Sequence, residues 1–157
     1  MIDKIKVKVK KLDHFDGSFA LPRYETMGAA GADVRASLLP ENREEGIVIR
    51  PGERVLIPTG LSMEIPVGFE IQVRPRSGLS FKTGLLVCNS PGTIDSDYRG
   101  EVKVILGNFS DKREVIQHGD RIAQLVIAPV FQADYEEVQE LSSTDRGAGG
   151  FGSTGKK

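Results

Sequence analysis

Asn89-Ser90-Pro91-Gly92-Thr93-Ile94-Asp95-Ser96-Asp97-Tyr98-Arg99-Gly100-Glu101-Val102 is the most informative run in the chain. It opens on turn formers: Asn tolerates positive φ, Pro fixes φ near the turn value, and Gly accepts either sign. Cys88 before the turn and Ile94 after it predict a hairpin between two strands. From Asp95 to Arg99, two acids, an aromatic ring and an arginine fall within five positions. A solvated strand carries such a mixture without any function. The flanking sequence must decide between a surface feature and a reaction centre.

Short apolar runs surround this turn. Ile5 to Lys10 alternates with period two, the pattern of a strand with one wet face. Further strands are predicted at Glu53–Pro58, Phe69–Val73, Leu85–Cys88, Val102–Leu106 and Arg121–Ala128, rich in branched residues. Turn signals separate them, among them Pro51-Gly52, Thr59-Gly60, Pro66-Val67-Gly68 and His118-Gly119-Asp120. Only Ser77 to Lys82 offers a helical turn, with Ser77 as its expected N-cap. The expectation is an all-β domain, a sandwich, barrel or jelly roll, with one short helix. Pro40 to Gly46 reads as an exposed polar connection.

Composition narrows the function classes. A chain of 157 residues suits one domain with a real core. Its 21 basic and 22 acidic residues leave a net charge of −1, against bulk electrostatic binding of nucleic acid. Cys88 is the only cysteine, so an intrachain disulfide and a four-thiolate metal site are excluded. His14 and His118 are too few for a histidine-based zinc site. No run approaches the roughly 20 apolar residues of a membrane span, and the N-terminus lacks a signal-peptide core. A soluble, cytoplasmic, reducing setting is expected.

The segment from Ser142 to Lys157 differs in kind from residues 1–141. Gly, Ser and Thr dominate it, and Phe151 is its one large apolar side chain. Such a segment orders only when a partner supplies the energy, so a flexible C-terminal arm is expected. Arg146 precedes a Gly-rich run ending in Ser153-Thr154-Gly155. Arginine forks onto phosphate, and glycine backbone approaches oxyanions closely. The run does not match GxxxxGK[ST].

Three more polar islands stand out. Asp33 sits between apolar neighbours in Ala30-Gly31-Ala32-Asp33-Val34, where turn capping is the bland reading. Arg74-Pro75-Arg76-Ser77-Gly78-Leu79 gathers two arginines, a hydroxyl and a helix start, a composition suited to an anion. Gly119-Asp120-Arg121-Ile122-Ala123-Gln124-Leu125 enters a buried strand, with Asp120 and Arg121 as a candidate ion pair and Gln124 needing a polar partner.

In this order, AGADV, PRSGL, GTIDSDYRGEV, GDRIAQL and RGAGGFGSTG closely resemble the five motifs of the homotrimeric dUTPase family. The resemblance implies a jelly-roll subunit, a homotrimer with shared active sites, and hydrolysis of dUTP to dUMP and pyrophosphate with Mg²⁺ as cofactor. It implies that Asp95 is the catalytic carboxylate on the attacking water, and that Asp33 holds Mg²⁺ through water. Arg76, Ser77 and Gly78 are implied at the phosphates, Gln124 at the α-phosphate, and Arg146, Gly152, Ser153 and Thr154 on the closing arm. Asn89, Thr93 and Ile94 belong to the implied uracil-reading turn, Tyr98 packs beneath the sugar, and Phe151 stacks on the base.

Ala32 departs from the pattern, since motif one commonly carries an aromatic residue there. The related dCTP deaminases share the fold but use a glutamate base near the hairpin. Asp95 and the complete fifth motif favour plain dUTP hydrolysis over a deaminase, a bifunctional enzyme or a silent nucleotide-binding trimer.

Overall fold

The computed structural model describes residues 4–150. The strands are β1 (Lys8–Lys11), β2 (Ala32–Arg35), β3 (Ile47–Ile49), β4 (Arg54–Glu64), β5 (Phe69–Arg74), β6 (Leu85–Val87), β7 (Gly92–Ile94), β8 (Glu101–Asn108), β9 (Glu114–Ile116) and β10 (Arg121–Pro129). Among the described residues one α-helix, α1 (Ser77–Thr83), follows β5, and a 3-10 turn spans Pro40–Asn42. All pairings are antiparallel. The first sheet runs β1-β4-β8-β6, the second β2-β10-β5-β7, and β3 pairs with β9 in a small third sheet. This is the expected all-β, jelly-roll-like fold with one short helix. Among the described residues no helix is long and apolar enough to cross a membrane.

Alternation along the strands builds the core. Ala32 and Val34 of β2 are buried while Asp33 and Arg35 point outward. Val34, Ile57, Leu61, Val73, Val104, Leu106, Ile122 and Leu125 belong to one continuous aliphatic cluster. Each fully buried side chain of this size contributes about 1.5–3 kcal/mol. Asn108 is buried with its amide satisfied: Nδ2 donates to the carbonyls of Ile49 (2.8 Å) and Lys112 (2.7 Å), and Oδ1 accepts from Ser110 N–H (2.9 Å) and Oγ (2.8 Å). It ties β8 to β3.

Several local expectations need correction. The hairpin expected around Cys88–Ile94 does not form. β6 pairs with β8 in the first sheet, whereas β7 pairs with β5 in the second, so the turn carries the chain from one sheet to the other. The expected strand at Ile5–Lys10 is paired only from Lys8 onward, where β4 supplies partners. Thr59-Gly60 is not a turn. β4 runs through it with a bulge, because Gly60 at φ +67° adds length to one strand without reversing it. Ser77 is the first helical residue rather than the cap; Arg76 occupies that position, and no side chain caps the helix. β2, β3 and β9 were not predicted.

Residues 12–19 form a strap across the sheets. Leu12 N–H donates to the Gly60 carbonyl (2.8 Å), and the Ser37 hydroxyl joins the His14 carbonyl (2.9 Å) to the Asp16 N–H (3.0 Å). His118 Nδ1 accepts the Leu38 N–H (3.0 Å), so its proton lies on Nε2 and faces Asp16 Oδ2 (3.0 Å). That hydrogen bond, with those from Ser18, holds the Asp16 carboxyl well below the usual carboxylate range. A depressed native pKa stabilises the fold above the ordinary carboxylate value and loses that effect as pH falls. The melting-temperature gap between wild type and Asp16→Asn should therefore be full at pH 6 and shrink below about pH 4. A gap constant from pH 6 down to about pH 2 would contradict the assignment.

Candidate active site

The Asp95 stretch is held by a clamp built on the β4 bulge. Between Pro58↔Lys103 and Ser62↔Glu101 the register shifts, leaving Thr59, Gly60 and Leu61 outside the regular ladder. Thr59 Oγ1 then donates to the Val102 carbonyl (2.5 Å), and Ser62 Oγ to the Arg99 carbonyl (2.6 Å). The carbonyl between them, that of Glu101, accepts the Tyr98 hydroxyl (3.0 Å). Tyr98 lies over Gly100 so closely that a Cβ there would come within 2.6 Å of its Cζ. Any side chain at 100 would displace the ring from this position. Tyr98 N–H closes the turn onto the Asp95 carbonyl (3.2 Å).

A cleft of about 360 Å³ opens above this clamp, lined by Asn89, Thr93, Ile94, Asp95 and Tyr98 together with Leu56, Glu101, Lys103 and Ile105. Five residues singled out from sequence thus meet in one place. The Asp95 carboxylate is exposed, and among the described residues it makes no hydrogen bond. Gly92 is buried beneath the turn, where a Cβ would sit 3.0 Å from Asn89 Nδ2 and 3.3 Å from Val73 Cβ. An apolar wall beside a carboxylate that makes no hydrogen bond among the described residues suits a small molecule with both apolar and polar parts.

A second group gathers on the outer face of the other sheet. Asp33, Gln124 and Arg74 are register partners across β2, β10 and β5, so their side chains share one face. Asp33 accepts from two arginines, Arg76 Nε at Oδ1 (2.9 Å) and Arg121 Nη1 at Oδ2 (3.0 Å). Arg76 also donates to the Arg121 carbonyl (3.3 Å). Gln124 Nε2 donates to the Pro75 carbonyl (2.9 Å), while its Oε1 presses against Gly31, where any Cβ would overlap it.

Sequence reasoning missed Arg121. It pairs with Asp33, not with Asp120, whose Oδ2 accepts the Gln117 N–H (2.8 Å) to close a turn. Arg23, Arg35 and Arg121 face Glu25 and Asp33 in a second cleft of about 210 Å³. Three cations against two carboxylates favour an anion there.

Ser77 and Gly78 stand exposed in the first turn of α1, next to Arg76. Arg146 is not brought to either group; its Nε donates to the Gly149 carbonyl (2.8 Å) within an exposed turn. Phe151, Gly152, Ser153 and Thr154 lie outside the described residues. The two clefts share no lining residue. Glu101 and Lys103, also missed, enter the first cleft because they alternate outward on β8 with buried Val102 and Val104. That alternation was the available signal.

Among the described residues no three His, Cys, Asp or Glu side chains cluster to hold a metal. Asp33 is, among the described residues, the carboxylate that touches both Arg76 and Arg121. That set fits an ion such as Mg²⁺, which takes one or two carboxylates and otherwise binds phosphate oxygens and water.

The dUTPase family matches residues 18–155. The deoxyuridine 5'-triphosphate nucleotidohydrolase of Bdellovibrio bacteriovorus is 57% identical over 155 residues, covering 99% of each chain. That of Roseobacter denitrificans is 55% identical over 152 residues, covering 96% of this chain and 97% of its own. A dUTPase variant of Staphylococcus bacteriophage 80alpha, solved with dUpNHpp, superposes with a TM-score of 0.77 at 27% identity, covering 96% and 98% of the two chains. A dUTPase of phage phi11 of S. aureus, reported with a structural Mg(II) ion, shares the fold at a TM-score of 0.69 and 24% identity, covering 86% and 97%. The chain belongs to the dUTPase family.

Proposed function

We propose that the chain hydrolyses dUTP to dUMP and pyrophosphate by attack of water on the α-phosphorus, limiting uracil in DNA and supplying dUMP for thymidylate synthesis. The observation that carries this reading is Asp95, an exposed carboxylate that makes no hydrogen bond among the described residues, in the cleft that also holds Asn89, Thr93, Ile94 and Tyr98. A carboxylate so placed accepts a proton from water, and a positioned general base supplies about 10²–10⁴ in rate. Main-chain groups of the Cys88–Ile94 turn, with the Asn89 side chain, read uracil. The Tyr98 ring, fixed by its bond to the Glu101 carbonyl, fills the space a ribose 2′-OH would need.

Arg76, Ser77 and Gly78 receive the phosphates, and Gln124, with one amide proton on Pro75 and one free, reaches the α-phosphate. A phosphate that draws Arg76 away frees Asp33 Oδ1 while Arg121 keeps Oδ2 in place, and Asp33 is the residue that would hold Mg²⁺ through water. Bound Mg²⁺ supplies neutralisation and orientation of the triphosphate. Aligning the water with the α-phosphorus is a large share of catalysis in such transfers.

Separate clefts in a single chain support a homotrimer, in which the Asp95 cleft of one chain meets the Asp33–Arg76 group of another. The arm from 142 to 157 of a third closes the site with Arg146, Phe151, Gly152, Ser153 and Thr154, as a lid that recovers its ordering cost from the nucleotide. A cytoplasmic enzyme acting on free nucleotide, with neither nucleic acid nor membrane as partner, accords with the balanced charge.

Product analysis with dUTP, dCTP, dTTP and UTP should show dUMP and pyrophosphate from dUTP alone; ammonia released from dCTP would point instead to a deaminase. Asp95→Asn should lower kcat by about 10²–10⁴, and near-normal turnover would move the base elsewhere. Truncation before Arg146 should leave a folded protein with turnover largely lost, as read by circular dichroism and pyrophosphate release; full activity would remove the arm from the mechanism. Gly31→Ala should displace Gln124 and raise KM for dUTP by about tenfold with little change in melting temperature; an unchanged KM would argue against Gln124 at the phosphate.

A further inference from the structure

Glu101 lines the Asp95 cleft, yet the reaction as proposed gives it nothing to do. Its side chain is 13% exposed and gathers three donors. Gly60 N–H (2.8 Å) and His14 Nε2 (2.8 Å) meet Oε1, and Lys103 Nζ lies 3.5 Å from Oε2. Gly60 N–H belongs to the bulge, where the ladder to β8 is interrupted and the donor needs another acceptor. Glu101 supplies it across the sheet. The same residue's carbonyl receives the Tyr98 hydroxyl (3.0 Å), while Thr59 of the bulge and Ser62 just after it hold the carbonyls of Val102 and Arg99. His14 brings the strap onto this point, with Phe15 packed where a Cβ on Gly60 would meet its Cα at 2.9 Å.

We propose that Glu101, with His14 as its partner, is a positioning residue for the nucleoside cleft: its carboxylate locks the Gly60 bulge against β8 and thereby fixes the attitude of Tyr98 that excludes ribose. Glu101 touches no reacting atom in this role. It acts through the main chain from Arg99 to Val102. The inference rests on the reading of Tyr98 as the ribose filter given above. The loss on removing Glu101 falls first on discrimination and on KM, because the carbonyl it steadies holds the Tyr98 ring, whereas the Asp95 carboxylate makes no hydrogen bond among the described residues and the proposed phosphate ligands belong to the other sheet. His14 is the outer half of the device, since its removal leaves the Gly60 N–H bond to Glu101 intact.

The test compares wild type with Glu101→Ala, Glu101→Gln, His14→Ala and Tyr98→Ala, measuring kcat and KM for dUTP and UTP alongside melting temperature. Glu101→Ala should lower the dUTP-over-UTP ratio of kcat/KM by about tenfold, mainly through KM for dUTP and turnover of UTP. Glu101→Gln keeps an acceptor for Gly60 N–H and should restore most of the ratio. His14→Ala should shift it in the same direction by about threefold, and it decides the matter if Glu101→Ala does not fold. A lower melting temperature with an unchanged ratio in both would overturn the inference and leave Glu101 a purely structural residue. If Tyr98→Ala itself leaves the ratio unchanged, the ribose-filter reading fails and this inference with it. Relaxation by Tyr98→Ala but not by Glu101→Ala or His14→Ala overturns the inference alone.

Discussion

The chain between Val87 and Glu101 leaves the first sheet, pairs in the second, and returns to the first. β6 and β8 are neighbours on one side, and β7 sits beside β5 on the other. The loop from Asp95 to Gly100 is therefore anchored at its two ends in different sheets. Everything proposed for the nucleoside cleft depends on that constraint. A simple hairpin tip would swing as a unit, whereas a segment fixed in both layers can present an exposed carboxylate and a stacked ring in one attitude. Such preorganisation favours alignment of water with phosphorus.

The second group rests on a different device, register across a sheet. Asp33, Gln124 and Arg74 come from distant parts of the chain and meet because three strands place them in one row. Two arginines on one carboxylate keep charge compensated at the partly exposed face until an anion arrives. Ion pairs at such exposure contribute little to stability. Their value lies in being exchangeable, since Arg76 can trade Asp33 for phosphate at small net cost.

Strand patterning and turn residues made the all-β class legible, and the third motif marked Thr93, Ile94, Asp95 and Tyr98 of the first cleft, whereas most of the second cleft's lining lies outside the motifs. What stayed hidden was non-local. Which partner a strand takes is set by the core, so Cys88 to Ile94 looked like a hairpin although its flanks pair elsewhere. Gly60 looked like a turn because glycine at positive φ serves turns and bulges equally well. Arg121 seemed paired with its neighbour Asp120, but Asp120 closes the turn onto Gln117 N–H before β10 begins, and Arg121 on β10 reaches Asp33 of β2. β2, β3 and β9 are too short for periodicity to declare them. Glu101 could not be assigned from its motif, since its partners His14 and Gly60 lie far away in sequence.

The most direct measurement concerns whether one chain's two clefts serve one site or two. Asp95→Asn and Arg76→Ala each disable a different half, so the two variants can be co-expressed and the mixed assemblies assayed for dUTP hydrolysis. If each site takes its halves from different chains, a random mixture should recover about a quarter of wild-type activity, because some sites draw both intact halves. If both halves of a site belong to the same chain, every site in the mixture carries one lesion, and activity should stay at the level of the separate variants.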